Sequence, residues 1–274
     1  MFLELIICIF IGVGFGIITG ITPGVHVNLV SVVLLSLSPM LLKFTSPLAL
    51  SVVIISMAIT HTFLDIIPSI FLGAPESDEA TSVLPGHKLL LEGKGYEAVM
   101  LTVIGALGGL VLSLLMLPLF VPLAKYLYPI LKDYIGYILL AIILFLILRE
   151  KEKLAVSCIF LFSGALGIGV FSLAKLNDPL FPLLSGLFGT SMLLLSIKDN
   201  TKIPEQKTSG IEFEKKKGIK ATLCSVVAGW FCSFMPGLGP SEAAILGSTF
   251  FKYLGNKGFL ILTGGLGTVN MALS

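Results

Sequence analysis

The stretch GITPGVHVN, Gly20 to Asn28, sets Thr22-Pro23-Gly24 and then His26 and Asn28 inside otherwise almost wholly apolar sequence. A second stretch, GWFCSFMPGLGPSE, repeats the pattern at Pro236-Gly237 and follows it with Ser241 and Glu242. Proline removes a backbone donor and clashes with the preceding turn, so each stretch predicts a broken helix. At membrane depth the freed groups persist only inside protein or beside a watery cavity. A half-helix starting after such a break aims N–H groups and the positive end of its dipole outward, which suits an anion. After the break at Thr22-Pro23-Gly24, Val25, His26, Val27 and Asn28 would open one half-helix; Leu238, Gly239, Pro240, Ser241 and Glu242 would open the other. Pro240 fits a first-turn position, where its missing donor costs nothing. An ordinary proline kink is the plainer reading of either break alone. Two breaks at related positions, each with polar residues just beyond, favour a site.

Ionisable groups inside apolar spans are costly and point to function. His61 and Asp65, in THTFLDIIPS, stand four apart and share one helix face. They either lock two helices together or bind a coupling cation or proton. With no third ligand in register, a metal site is not expected. GGLGT at 264–268 lacks the strand context and the lysine of a phosphate loop, so no cofactor is expected either. The polar segment GAPESDEATSVLPGHKLL fits both a re-entrant hairpin lining a pathway and an exposed loop.

These residues must be held by membrane helices. The chain is 55% hydrophobic and 12% charged, with mean hydropathy +1.02, far from a soluble globular domain. Runs such as YIGYILLAIILFLIL are long enough for most of the roughly 30 Å of hydrocarbon. An all-α polytopic membrane protein embedded in a lipid bilayer follows, with no nucleic-acid partner. The N-terminus carries no basic leader and no small-residue cleavage site, which predicts a first membrane segment rather than a signal peptide. Spans are expected at about 3–21, 25–42, 48–72, 98–125, 133–149, 154–173 and 181–197, then 220–234, 240–252 and 257–274. The four cysteines fall in apolar segments without CxxC spacing and read as small hydrophobes. Gly16-xxx-Gly20 and Gly105-xxx-Gly109 read as close helix packing. The lysine-rich loops 149–153 and 198–220 lie two spans apart, on one side, which the positive-inside rule makes cytoplasmic.

The two Pro-Gly breaks lie 213 residues apart, each seven residues after a glycine and each before an apolar run. Two related repeats with broken or re-entrant helices are therefore expected, inverted relative to each other. Residues 1–197 would form a first membrane half, containing the re-entrant-like segment 73–97. Residues 198–219 would be a solvated cytoplasmic connector, and 220–274 the start of a second, incomplete repeat.

Gly16, Gly20, Pro23 and Gly24, then Gly73, Pro75, Ala80, Thr81, Leu84 and Gly86, then Gly93-Lys94 and Ala98, resemble the large membrane subunit of the tripartite tricarboxylate transporters. Pro236, Gly237 and Gly239 match that family's later break. His26, where the family usually has glycine, and the acidic Glu76, Asp78 and Glu79 depart from its pattern. The resemblance implies a secondary carrier of citrate-like carboxylates, driven by a cation gradient. It also implies a small membrane subunit and an extracytoplasmic binding protein as partners. On that reading Gly73, Pro75 and Thr81 join the breaks around a small anionic substrate. His26, Asn28, Thr81 and Ser241 complete its hydrogen bonding, while Asp65 and Asn270 bind the coupling cation, sodium or proton. The alternative is a translocase for a lipid-linked anion such as a polyprenyl phosphate, which the scarcity of basic residues inside the spans disfavours. An intramembrane enzyme using His26, His61 and Asp65 lacks any recognisable Ser-His or metal-triad spacing.

Overall fold

The computed structural model describes residues 2–23, 25, 27–73, 81–172, 203–208, 210–235, 238–250 and 254–274, with single positions 183, 187 and 194. The expected span 181–197 thus lies almost wholly outside the described residues, as do Gly24, His26, Pro75, Pro236 and Gly237. What is described is helical, an all-α multi-pass membrane protein. Helices α1 (Phe2–Ile21), α2 (Val27–Leu41), α3 (Pro47–Leu64) and α4 (Ile66–Leu72) come first. They are followed by α5 (Val83–Leu91), α6 (Gly95–Leu131), α7 (Ile135–Arg149) and α8 (Lys153–Phe171). Beyond the connector lie α9 (Lys215–Phe234), α10 (Pro240–Phe250) and α11 (Gly255–Leu273). Four of the described segments, 2–21, 47–72, 95–131 and 153–171, are long and apolar enough to cross a membrane.

Local sequence accounts for most boundaries. Ser46 caps α3 by accepting the Ala49 N–H at 3.2 Å, with Pro47 at the first helical position. Pro68 has no N–H to offer the Leu64 carbonyl, and α3 gives way to α4 across Asp65. Gly73 ends α4 with a left-handed φ of 63°. Helix α6 begins within the polar segment and runs 37 residues through Pro118, Pro122 and Pro129, longer than the expected span 98–125.

Glycines set the packing. On α1, Gly12 faces Val53 and Ser56, Gly16 faces Met57 and Thr60, and Gly20 faces His61 and Leu64. The two helices therefore run parallel with backbones nearly touching, and α2 runs back to connect them. Without a hydrophobic force between spans, such close contact supplies the van der Waals attraction that joins them. A second seam joins α6, α9 and α11. Gly105 meets the Ile261 carbonyl, Gly109 lies against Gly265 and Val269, Gly229 against Val269, and Gly265 against Ser225. These three helices also run parallel to one another, with α10 packed beside α9 and α11. Helix α6 starts where α4 ends, since Gly95 sits against the Phe71 ring, so the second set runs opposite to α1 and α3. The main core collects Ile66 and Ile70, Leu89 and Leu90, Leu101, and Leu260 to Leu262.

The connector is less solvated than its composition suggests. Gln206 accepts the Gly95 N–H at 2.8 Å and donates to the Leu90 carbonyl at 3.1 Å. Lys207 N–H donates to the Gly93 carbonyl at 2.8 Å, where Gly93 turns at φ 75°. Helix α9 then begins at Lys215, inside the range expected to be loop.

Candidate functional site

The first break lies at the end of α1. Thr22 and Pro23 are exposed, Val25 is half-buried and bonds its N–H to the Thr22 carbonyl at 3.2 Å, and Asn28 is exposed in the first turn of α2. Val27 is buried against Met57 and Ala58 of α3, with Met271 of α11 packed on the same cluster. Asn270, beside Met271, is half-buried. The start of α2, the middle of α3 and the last turn of α11 therefore meet.

Immediately beside them is a polar cluster built on α3. His61 is 1% exposed and Asp65 is 6% exposed, so both expected ionisable residues are buried. The helix spacing brings His61 Nε2 to 3.7 Å from Asp65 Oδ2. His61 Nδ1 lies 3.0 Å from Thr19 Oγ1 on α1. One residue along α3, the Thr62 hydroxyl accepts from Thr268 Oγ1 of α11 at 3.0 Å. Thr19, Thr62 and Thr268 were not singled out by sequence reasoning. Thr268 belongs to the GGLGT stretch, whose glycines turn out to let α11 approach Thr102 and Ser225.

The second break follows α9. Leu238 is buried in the main core and Ser241 is buried, whereas Glu242 is exposed. Glu242 Oε2 accepts the Gly239 N–H at 3.0 Å, the reach-back half of a capping box at the start of α10. One orphan donor of that half-helix is thus already held by a carboxylate. In the polar segment Gly73 is buried, and the buried Thr81 hydroxyl has no hydrogen-bond partner among the described residues.

A cavity of about 740 Å³ opens at the connector end, bordered by Lys88, Glu92, Lys94, Glu212, Lys217 and Lys257. Its cations are largely answered within the protein. Lys257 sits 2.6 Å from the buried Glu97 carboxylate and donates to the Glu212 carbonyl at 2.7 Å. Lys217 sits 2.7 Å from Glu214, and Lys94 3.9 Å from Glu92. The Lys257 contacts fasten the connector to α6 and α11, and together the pairs leave little charge for an anion.

Parallel glycine-seamed helices, several long and apolar enough to cross a membrane, with a buried ionisable pair among them, define a multi-pass membrane protein. Residues 6–263 match the Tripartite tricarboxylate transporter TctA family, and the chain belongs to it. It is 33% identical over 261 residues to an uncharacterised protein of Methanocaldococcus jannaschii, covering 93% of this chain and 64% of that protein. The chain thus spans less than two thirds of that relative's length. No solved structure matches it.

Proposed function

We propose that the chain is the membrane carrier of an ion-coupled secondary transport system for a small organic anion of the di- or tricarboxylate class. The observation that carries this reading is the resemblance between two helix–break–helix units. Helix α1 spans Phe2–Ile21 and α9 spans Lys215–Phe234, so both ends differ by the same 213 residues that separate Pro23 from Pro236. Val27 opens α2 and Pro240 opens α10, again 213 apart. In each unit a shorter helix returns from the break, and a third helix packs parallel to the first. The two units run in opposite directions, which supports inverted repeats with one break in each.

On this reading the breaks at Thr22 to Asn28 and Pro236 to Glu242 hold the substrate carboxylates. Gly73, Pro75 and Thr81 approach it from the polar segment, and Asp65 and Asn270 serve the coupling cation. A small membrane subunit and an extracytoplasmic binding protein are the proposed partners, following the tripartite system after which the family is called. The connector side is the cytoplasmic side. One observation favours a lipid-linked anion instead: an apolar groove of about 650 Å³ beside the second break, lined by Leu223, Val227, Phe231 and Leu246, with Lys220 among its walls. Melting the purified chain against di- and tricarboxylates and a short polyprenyl phosphate separates the two. A ligand bound only to the folded state at a hundredfold its dissociation constant adds about 2.7 kcal/mol. A shift with a carboxylate supports the carrier; a shift with the lipid phosphate alone replaces it.

A further inference from the structure

We propose that a two-chain anionic phospholipid of the cytoplasmic leaflet straddles α9, with one chain in a groove on each side and its phosphate among Lys215, Lys216 and Lys220. The first groove, about 650 Å³, lies between α9 and α10 and is apolar apart from Lys220 at its connector end. The second, about 450 Å³, lies between α9 and α6. Gly108 and Leu112 border it from α6, Ile219 and Thr222 from α9, with Lys215 at its connector end. Leu223 borders both grooves, so the exposed Ile219 and Leu223 form a ridge between them. From Lys220 to Phe231 the helix rises about 16 Å, half of the roughly 30 Å of hydrocarbon. The first groove therefore has the length of a chain from one leaflet.

The charge at the head of the ridge fits the same ligand. Lys217 is taken by Glu214 at 2.7 Å, whereas Lys215, Lys216 and Lys220 are exposed and have no ion-pair partner among the described residues. Glu212 borders the connector cavity instead. Lys216 and Lys220 stand one turn apart on one edge of α9. Lysine stems lie along apolar surface while their ammonium groups reach the headgroups, and basic pockets between helices on the cytoplasmic side attract anionic ones. A polyprenyl phosphate, with its single chain, would leave one groove uncovered; a two-chain lipid fills both. The chain in the first groove lies against Leu238 and Ala243, on either side of the start of α10. The lipid thus steadies the half-helix that returns from the second break. This is a resident lipid, whichever anion is carried, and only its leaflet rests on the connector being cytoplasmic.

The test is native mass spectrometry of the full chain, titrated in mild detergent with phosphatidylglycerol. Phosphatidylcholine, lysophosphatidylglycerol, inorganic phosphate and a short polyprenyl phosphate are the comparisons. One phosphatidylglycerol should stay bound, at least fivefold tighter than phosphatidylcholine. Lys220→Gln should cost about fivefold, and adding Lys215→Gln and Lys216→Gln should bring phosphatidylglycerol down to the phosphatidylcholine level. The same charge change at the exposed Lys151, Lys153 and Lys207 should leave binding unmoved. Val227→Trp and Ile219→Trp, each obstructing one groove from an exposed position, should lower affinity toward that of the single-chain lysolipid. Phosphatidylcholine, lysolipid or inorganic phosphate bound equally well overturns the proposal, as does a triple lysine variant that binds like the wild type. Displacement of phosphatidylglycerol by equimolar polyprenyl phosphate gives the groove to a cargo lipid and also overturns it. The carboxylate arm of the melt above is read separately, so either reading can fail alone.

Discussion

Replacing Gly14 and Gly16 by alanine, one at a time, tests the packing of α1 on α3 with an internal control. Both glycines lie in the middle of the same helix, two residues apart, so the gain in helix propensity, about 1 kcal/mol, is common to both. Their surroundings differ. A Cβ on Gly14 meets nothing within 4 Å, whereas a Cβ on Gly16 would stand 2.5 Å from Thr60 Cβ and 2.6 Å from the Met57 carbonyl oxygen. One of those neighbours is backbone of a packed helix and cannot rotate away. Relieving the clash means separating α1 from α3, an overpacking cost of about 1–3 kcal/mol. Gly14→Ala should therefore stabilise the chain slightly, and Gly16→Ala should fall below it by that cost. At about 2–4 °C per kcal/mol, the gap is several degrees in a melt of the purified protein in nanodiscs. Equal melting temperatures, or Gly16→Ala the more stable, would refute the seam.

Thr268→Val removes the hydroxyl bond to Thr62 without changing volume much. It should cost about 0.6 kcal/mol and at most roughly 1.7, with a double-mutant cycle against Thr62→Val showing that the two losses are not additive. Lys257→Met leaves the Glu97 carboxylate, 7% exposed, without its cation; since Lys257 is itself 33% exposed, the loss should be about 1–3 kcal/mol rather than the larger cost of a fully buried pair. Adding Glu97→Gln should recover most of it, and a double variant no better than Lys257→Met contradicts the pairing. Gln206→Ala gives up the bonds to Gly95 and Leu90 and should speed tryptic cleavage at Lys207 and Lys215. Unchanged cleavage would mean that the connector is held elsewhere.

The helices were legible because their signals are local. Apolar runs, a Ser46-Pro47 start, a Gly73 stop and the Pro-Gly breaks each act on a few adjacent residues, and the expected spans 3–21, 25–42 and 133–149 fall within a few residues of α1, α2 and α7. The connector's attachments were not legible, for the opposite reason. Its charge and its lack of periodicity read as solvation, yet Gln206 and Lys207 satisfy backbone groups of the α5–α6 turn more than a hundred residues earlier. Composition measures how a segment would fare in water; it does not register the unpaired carbonyls and N–H groups of a distant turn awaiting partners.

The candidate site divides along the same line. His61 and Asp65 stood out because an ionisable group in an apolar span has few inexpensive explanations. Thr19, Thr62 and Thr268 did not, because any threonine in a helix can return its proton to a carbonyl three or four residues back. Thr19 reaches Gly16 and Thr62 reaches Ile59 at 2.9 Å in this way, while the single Thr268 proton is shared between the Gly264 carbonyl at 3.1 Å and the Thr62 oxygen. What singles them out is the second contact each oxygen makes, to His61 or across 206 residues between Thr62 and Thr268. For Thr19 that contact exists because Gly12, Gly16 and Gly20 seat α1 directly on α3, close enough for a short side chain to reach His61. The α11 glycines face Thr102 and Ser225 instead, so the glycine pattern, visible in the sequence as a packing signal, accounts for the Thr19 contact and gives no sign of the one between Thr62 and Thr268.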